Sequence, residues 1–472
     1  MKTILILLLP IIFMNICSAT VNGRYYPRYH LAPKYGWMND PNGFSYFKNE
    51  YHLFFQYNPK SSLEAGTAHW GHAKSVDLLH WEHLPIALYP DQWYDQNGTF
   101  SGSAIVEDDV MYIFYTGNVN VMGEISVEEE YQALAISTDG VNVTKYENNP
   151  ILDAENHQPN IRDPKVWKHD DTYYMVIGNS FDNDTQGQVL LYSSQDKLQW
   201  DEMCILDKSN GSFGYMWECP DLFELNGKFV FLFSPQGLEP QGDKYRNLYQ
   251  TGYIIGDFNY DTCAFSQLTE FRELDKGHDF YATQTMIDDF GRRIVVAWVN
   301  TWELVYPDRA DGWSSLMTLP RILTVTKDLR LLQAPIEEID AALGNNLYSG
   351  KGEPGTTVNL PDKTAKVELQ WSSSRNIEVY IESQNKSATV AISYDSCSSR
   401  VVLDRGGYEG VRRTVWNPRG HYNWSIYIDA SSIELFCGDG EVTFTSRYFP
   451  EGQVSVRLGD KTYVILILCS LP

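Results

Sequence analysis

The hydrophobic positions of this chain fall in short runs and show little helical periodicity. Runs of β-branched and aromatic residues, separated by Gly, Asn and Asp, recur along most of the sequence. Such runs between turn-forming residues are typical of strands, whereas apolar residues spaced three and four apart would indicate helices. The pattern therefore predicts an all-β protein.

One unit recurs through the first two thirds of the chain: a polar motif, an apolar strand, a charged turn and a second apolar strand. Asp40, Ser101, Asp163, Glu218 and Tyr281 hold equivalent positions in it, 55 to 63 residues apart. Each interval has room for a four-stranded sheet, so the repeat predicts a five-bladed β-propeller. The first strand of each blade lines the axis of a propeller. We therefore expect the three acids to meet in one central pocket.

The pattern changes after Leu323. A short connecting helix is expected to begin within residues 334–339, and the Gly-rich stretch 349–355 favours a linker. The remainder alternates in short strands and predicts a β-sandwich that packs against the propeller. The predicted organisation is a signal peptide over residues 1–19, a propeller over 20–334, a linker over 335–354 and a sandwich over 355–472.

The N-terminus has the three parts of a secretory signal: Lys2, an apolar stretch over residues 4–16 and a small-residue end at Ser18-Ala19. This stretch is shorter than the roughly 20 apolar residues that cross a bilayer, so no membrane anchor is predicted. Sequons of the form N-x-S/T also fit a secreted, extracellular protein. They lie at Asn97, Asn142, Asn183, Asn210, Asn385 and Asn423.

The formal net charge of −24 argues against nucleic acid or an anionic membrane as a partner, because phosphate binding depends on Lys and Arg. A neutral small molecule remains compatible with it. The cysteines after residue 19 do not have the close spacing of a zinc or redox site, so neither a metal nor a cofactor is predicted. Their pairing stays open, and the sequence does not indicate an oligomeric state.

Asp40, Asp163 and Glu218 are the candidates for chemistry. Hydrolysis of a glycosidic bond needs one carboxyl group that donates a proton and another that attacks, or activates water, on the opposite face of the sugar. Carboxylates crowded into one pocket repel each other, which raises at least one pKa and provides an acid that holds a proton. Holding three carboxyl groups together is costly unless they have a use, so the repeat indicates a candidate catalytic site.

Five motifs in this order resemble glycoside hydrolase family 32, the invertases and β-fructofuranosidases. They are WMNDPNG (37–43), FFQYNP (54–59), FSGS (100–103), RDP (162–164) and WECPD (217–221). FSPQGL (233–238) and DFYA (279–282) are most similar to the bacterial sucrose hydrolases. With the signal and the sequons, the chain also resembles the digestive β-fructofuranosidases of plant-feeding insects.

The resemblance implies a retaining double displacement on sucrose, with raffinose or short fructans as further substrates. Asp40 would be the nucleophile, Glu218 the acid and then the base, and Asp163 the transition-state stabiliser, with Arg162 beside it to hold its charge. The remaining residues expected at the sugar are Trp37, Asn39, Gln56, Trp70, Phe100, Ser101 and Tyr281. For the two tryptophans and Phe100, a packing role fits the sequence equally well.

Three other readings remain. Fructosyl transfer would replace water by a sugar hydroxyl, a pentose-cleaving hydrolase on the same propeller would invert, and a lectin would bind fructan without cleaving it. The intact motif at residues 37–43 favours hydrolysis over transfer. Where many relatives carry an aromatic residue, Ser61-Ser62-Leu63-Glu64 stands in this chain, so the lining of the leaving-group side is open.

Overall fold

A computed structural model of the chain describes residues 23–121, 127–154, 160–386, 389–407 and 410–471. The expected signal peptide lies outside these residues. Almost all regular structure in the described ranges is strand, which confirms the all-β prediction. The described helices are a 3-10 helix over Pro307–Asp311 and α1 over Glu338–Ala341. In the described part of the chain no helix has the length and apolar character to cross a membrane.

The N-terminal region consists of antiparallel sheets formed by strands that follow one another in the chain. The first contains β1 Gly36–Phe47, β2 Glu50–Asn58, β3 His69–Ser75 and β4 Glu82–His83. The second contains β5 Gly98–Glu107, β6 Val110–Val121, β7 Val127–Ser137 and β8 Thr144–Lys145. The third contains β9 Ile161–His169, β10 Thr172–Phe181, β11 Gln186–Ser194 and β12 Asp201–Lys208.

Two further sheets complete this region. The fourth contains β13 Met216–Leu225, β14 Lys228–Gln236, β15 Gly252–Asn259, β16 Ala264–Gln267 and β17 Arg272–Glu273. The fifth contains β18 Tyr281–Ile287, β19 Arg293–Val299, β21 Leu316–Met317, β22 Arg321–Val325 and β23 Leu331–Pro335. Strand β20, Trp313–Ser314, lies between β19 and β21 in the chain but pairs in parallel with β1 of the first sheet, so it ties the end of this region to its beginning.

The first strands of the sheets contact one another in chain order: β1 with β5, β5 with β9, β9 with β13, β13 with β18, and β18 again with β1. They therefore surround a common axis, as in a β-propeller. Buried residues of neighbouring sheets fill the spaces between them; Tyr115 and Trp70 share one such cluster, and Phe231 and Val176 share another.

The C-terminal region is built from two six-stranded sheets. One, in spatial order, contains β24 Asn346–Gly352, β35 Val464–Cys469, β26 Ala365–Trp371, β31 Tyr422–Asp429, β32 Ser432–Cys437 and β33 Val442–Arg447. The other contains β25 Thr357–Leu360, β34 Val454–Leu458, β27 Ile377–Ser383, β28 Thr389–Asp395, β29 Arg400–Asp404 and β30 Val411–Val415. Strand β24 lies in the stretch for which the sequence predicts a linker.

Alternation of buried and less buried side chains along β27 and β28 places one face of their sheet against a shared apolar core. Trp424 and Val379, one from each sheet, are fully buried in that core. This is the packing of a β-sandwich. The sandwich also packs on the N-terminal region, because Tyr427 and Phe436 belong to the same buried cluster as Met317 and Leu319.

A buried network of ionic groups crosses the boundary between the two regions. Arg321 Nη2 contacts Glu434, and its Nη1 lies 3.1 Å from Asp275 Oδ2. The ring of His30 lies between two sandwich carboxylates, with Nδ1 2.7 Å from Asp429 and Nε2 2.8 Å from Glu434. Buried charges are stable only when they are paired, so these contacts favour one relative orientation of the two regions.

His30 makes this boundary sensitive to pH. Burial alone would lower the pKa of His30, but its hydrogen bonds to Asp429 and Glu434 outweigh burial and raise that pKa to about 9. The ordinary value is about 6.5. The stabilisation is therefore complete below about pH 6.5 and is lost as the pH rises through about 9.

We expect the free energy of unfolding to fall by about 3 kcal/mol between pH 6.5 and pH 10 through His30 alone. Urea unfolding of the wild type at several pH values measures this slope, and His30→Gln should flatten it. His80→Gln is the matched control, because His80 forms an exposed pair with Asp77. Equal slopes for the wild type and His30→Gln would contradict the assignment.

Candidate active site

Each of the five first strands departs from regular pairing at the same level. The register shifts in β1 between Met38 and Pro41, in β5 between Phe100 and Gly102, and in β18 between Tyr281 and Gln284. Strand β13 shifts between Glu218 and Asp221. In β9 the shift lies between Arg162 and Lys165, which pair with Gly178 and Val176 of β10. A β-bulge bends a strand and re-aims its side chains, so these shifts turn residues of the strands toward a shared space.

The backbone at these bulges takes conformations that few side chains adopt. Asp163, Cys219 and Ala282 have φ values of 69°, 48° and 53°, in the left-handed region. Pro164 and Pro220 directly follow the first two of these residues. A proline cannot donate a ladder hydrogen bond, and bulges are among the few places in a sheet where it fits. The Asp-Pro and Cys-Pro pairs of the sequence thus encode the breaks in the ladder.

Asp40 lies in the bulge of β1 and is 7% exposed. Ser101 Oγ, from the second sheet, donates to its Oδ2 at 2.9 Å. Asn39 Nδ2 donates to its Oδ1 at 3.1 Å, and Trp37 Nε1 holds Asn39 by donating to Asn39 Oδ1 at 3.0 Å. The carboxyl group of Asp40 is therefore fixed from both sides.

Asp163 joins Asp40 through Cys219. The backbone N–H of Cys219 donates to Asp163 Oδ2 at 3.0 Å, and its thiol lies 3.6 Å from both Asp163 Oδ2 and Asp40 Oδ2. Burial, and then the charges of the surrounding carboxylates, raise the pKa of the Cys219 thiol well above its usual value. The thiol therefore stays protonated and separates two groups that would otherwise repel each other directly.

Glu218 accepts hydrogen bonds on both carboxyl oxygens. Arg162 donates to Oε1 from Nε at 3.0 Å and from Nη2 at 2.8 Å. Gln236 Nε2 donates to Oε2 at 2.7 Å, and the hydroxyl of Tyr281 donates to the same oxygen. Three side chains from neighbouring strands therefore fix the position of both oxygens of Glu218.

Arg162 is directed at glutamates rather than at Asp163. Besides Glu218, its guanidinium contacts Glu130 at 3.3 Å and Asn160 at 2.9 Å. No hydrogen bond between Arg162 and Asp163 is present among the described residues, so the expected support of Asp163 is limited to attraction through space. The physical reason is the bulge, which sends the consecutive side chains of Arg162 and Asp163 to different partners.

The three acids differ in their surroundings. Burial, and then the charge of Glu218, raise the pKa of Asp40 above its usual range. Burial and the charge of Glu218 also raise the pKa of Asp163, to about 8, although Arg162 opposes this. Burial, and then the neighbouring charge of Glu218, thus raises the pKa of both aspartates.

The other residues expected at the sugar divide into two groups. Phe100 is half-buried, and Asn39 and Arg162 keep some exposure. Trp70 and Gln56 instead support the backbone before Ser101: Trp70 is fully buried and its Nε1 donates to the carbonyl of Phe100 at 2.9 Å, while Gln56 Nε2 donates to the carbonyl of Thr99 at 2.9 Å. Both therefore position the second sheet.

Trp37 is buried as well, with 1% of its surface exposed, and lies in a cluster with Trp298, Cys219 and Tyr281. Arg309 stacks on its ring at 4.5 Å. Its indole holds Asn39, so its described contacts are those of a positioning residue.

Sequence reasoning did not single out Cys219, Gln236 or Thr116. Cys219 directly follows Glu218 in one quoted motif, and Gln236 stands in another, so these motifs were the available signal. Thr116 Oγ1 accepts from the backbone N–H of Asp163 at 3.1 Å and donates to Gln132 at 2.7 Å. Its contribution depends on β6 lying next to β9, which no local pattern reveals.

A separate cavity of about 550 Å³ opens at the opposite ends of the first strands. Its buried carboxylate, Asp221, is paired with Lys165 Nζ at 3.0 Å. Asp40, Asp163 and Glu218 instead lie at the other end of these strands, where Asp40 and Asp163 both approach the thiol of Cys219, so we place the chemistry there. Within the described ranges no group of three or more His, Cys, Asp or Glu side chains is arranged to hold a metal ion.

Comparison with known proteins gives consistent matches over both regions. Residues 30–335 match the glycosyl hydrolases family 32 N-terminal domain, and residues 333–462 match the family 32 C-terminal domain. The raffinose invertase of Escherichia coli is 37% identical over 450 residues, covering 92% of this chain and 91% of that protein. The sucrose-6-phosphate hydrolase of Bacillus subtilis is 38% identical over 442 residues, covering 89% and 88%.

Among solved structures, the family 32 β-fructofuranosidase of Bombyx mori superimposes with a TM-score of 0.91 and 43% identity. The match covers 96% of this chain and 95% of that one. A mutant of the same protein was solved in complex with sucrose.

Gly102, next to Ser101, tests the bulge of β5. A Cβ atom there would lie 1.9 Å from the carbonyl oxygen of Phe114 and 2.8 Å from Tyr115 Cα. We expect Gly102→Ala to lower the free energy of unfolding by about 1–3 kcal/mol, since the backbone of β6 would have to move away. The control is Gly420→Ala, where a Cβ would meet no atom within 4 Å. Equal urea midpoints for the two variants would contradict this reading.

Proposed function

The chain belongs to glycoside hydrolase family 32 and is a glycoside hydrolase of the β-fructofuranosidase type, and we propose that it hydrolyses sucrose with retention of configuration. The observation that carries the proposal is the convergence of Asp40, Asp163 and Glu218 from three different sheets. Asp40 and Asp163 both lie near the thiol of Cys219, and Glu218 is held by hydrogen bonds from Arg162 and Gln236.

In the first step Asp40 attacks C2 of the fructosyl unit. The bond between C2 and the glucosyl oxygen breaks, and Glu218 gives its proton to that oxygen, so glucose leaves and a fructosyl ester of Asp40 remains. This step uses the protonated form of Glu218. Ser101 and Asn39, which hold the two oxygens of Asp40, orient the attacking carboxylate.

In the second step Glu218 takes a proton from water, and the resulting hydroxide attacks C2 and releases Asp40. The contacts of Arg162, Gln236 and Tyr281 hold Glu218 in place for this proton transfer. Asp163 holds the fructose hydroxyls by hydrogen bonds while positive charge develops on the ring.

Sucrose is proposed as the substrate because of the relatives. One neighbour was solved with sucrose, and one relative is a raffinose invertase, which supports raffinose as a further substrate. Transfer to a sugar hydroxyl would use the same fructosyl ester, so product analysis has to separate it from hydrolysis.

Two structural and cellular proposals accompany this function. We propose that the five consecutive sheets are the five blades of a propeller, which is supported by the ring of contacts among their first strands.

We also propose that the chain is secreted. The disulfide between Cys204 and Cys263 supports this, since disulfides persist in oxidising compartments. Four of the sequon asparagines are exposed and suited to carry glycans: Asn142, Asn183, Asn210 and Asn385.

Secretion is tested by expressing the full chain in insect cells and sequencing the N-terminus of the protein in the medium. We expect it to begin at Thr20. Protein that stays inside the cells, or that keeps Met1, would contradict the signal.

Enzymatic roles are tested with sucrose and the variants Asp40→Asn and Glu218→Gln. The wild type should release equal amounts of glucose and fructose, and the fructose should first appear as the β-anomer. Asp40→Asn should lower kcat by about 10⁴-fold or more, and Glu218→Gln by about 10²–10⁴-fold. On an aryl fructoside whose leaving group needs no proton, Glu218→Gln should still release the aryl group in a burst, whereas Asp40→Asn should not.

Asp289→Asn is the control, because Asp289 is exposed at the opposite end of the same strands and should keep full activity. An excess of glucose with growing oligosaccharides would assign transfer. A lack of turnover of sucrose, raffinose and inulin would contradict the proposed function.

A further inference from the structure

Beside Glu218 three aromatic rings contact one another. Tyr281, whose hydroxyl donates to Glu218, lies 5.4 Å from the ring of Tyr249 and 5.5 Å from the ring of Trp302. Tyr249 and Trp302 meet edge to face at 5.0 Å. Glu218 protonates the departing oxygen, so the glucosyl half of the substrate has to lie on the Glu218 side of the pocket. We therefore place these rings at the leaving group.

The exposed carboxylate of Glu303 lies at the edge of this aromatic group. It directly follows Trp302, and its Oε1 accepts a hydrogen bond from the hydroxyl of Tyr249 at 2.6 Å. In the described part of the chain no ion pair involves Glu303. Burial raises the pKa of the nearby Tyr215, and the charges of Glu218 and Glu303 raise it further. Both carboxylates therefore lie close enough to Tyr215 to act on it.

The arginines next to this group make no ion pair with Glu303 in the described part of the chain, and Arg309 acts on its charge only through space. Arg162 is held by Glu218 and Glu130. Arg309 is buried, donates to the carbonyl oxygens of Leu63 at 3.3 Å and Trp302 at 2.9 Å, and stacks on Trp37. Residues 61–64, which lack the expected aromatic residue, thus help to hold Arg309 in place. The surface beside the leaving group keeps the negative charge of Glu303.

We propose that Glu303 selects the leaving group of this enzyme, accepting the neutral glucosyl unit of sucrose and rejecting its 6-phosphate. The proposal rests on the function proposed above. A phosphate monoester carries about −1.5 to −2 charge near pH 7 and binds where Arg or Lys donors are free. A fixed carboxylate repels it, whereas the same carboxylate accepts hydrogen bonds from sugar hydroxyls. Several relatives are sucrose-6-phosphate hydrolases, so this residue separates two chemistries within one family.

The test compares kcat/KM for sucrose and for sucrose 6-phosphate on the full chain. Glu303→Gln removes the charge and keeps an oxygen that can accept from Tyr249. The wild type should prefer sucrose, and Glu303→Gln should lower the ratio of the two kcat/KM values by about tenfold. Glu270→Gln, at an exposed position before the outer strand β17, is the control and should leave the ratio unchanged.

Salt provides a second readout that a purely structural effect of the substitution would not reproduce. The screening length falls from about 30 Å at 0.01 M to about 3 Å at 1 M ionic strength. Raising the salt should therefore improve the relative hydrolysis of sucrose 6-phosphate by the wild type more than by Glu303→Gln.

The proposal is supported if Glu303→Gln lowers the ratio of kcat/KM for sucrose to kcat/KM for sucrose 6-phosphate by more than threefold. The same variant should also make this ratio less sensitive to salt than it is in the wild type. A change below threefold, or a wild type that prefers sucrose 6-phosphate, overturns it while leaving the hydrolase intact. If the wild type releases fructose from neither sugar, the proposed function itself fails.

Discussion

The N-terminal region depends on one constraint, which is to hold three carboxyl groups close together with little access to water. Such groups repel each other, and burial disfavours their charged forms, as the raised pKa values of Asp40 and Asp163 reflect. The protein meets this constraint by supplying each group with its own donors. Ser101 serves Asp40, the Cys219 backbone serves Asp163, and Arg162 serves Glu218. Breaks in the ladders of the first strands allow these side chains to turn inward.

Rigid support for this arrangement comes from residues that do not face the pocket. The indole of Trp70 and the amide of Gln56 fix the strand that carries Ser101, and Trp37 fixes Asn39. At the outer boundary, the buried charges around Arg321 and His30 hold the sandwich against the N-terminal region. Breaking such pairs leaves a buried charge without a partner, which is strongly unfavourable. Both layers of support explain why many polar groups of this protein are buried far from its chemistry.

Much of the site was predictable because it follows from periodicity. Equivalent positions of a repeat converge when the repeats close around an axis, so Asp40, Asp163 and Glu218 could be brought together from their spacing alone. The all-β class followed from the same pattern. Partners from neighbouring strands were less accessible: Thr116 and Glu130 lie far from the motifs they serve, and Glu303 lies in a loop without any strand signal. Arg162 shows that even an adjacent residue can turn to a different partner.

The sequence by itself determined the strand class, the repeat, the three acids and the family resemblance, because these are carried by local composition and by spacing along the chain. Only the tertiary structure decided which donor serves which acid, that Trp70 supports a strand from a fully buried position, and that the surface beside Glu218 keeps the charge of Glu303. Those outcomes depend on distances between residues on different sheets. Such distances are set by how bulged strands pack together, and a one-residue shift in register would change every one of them.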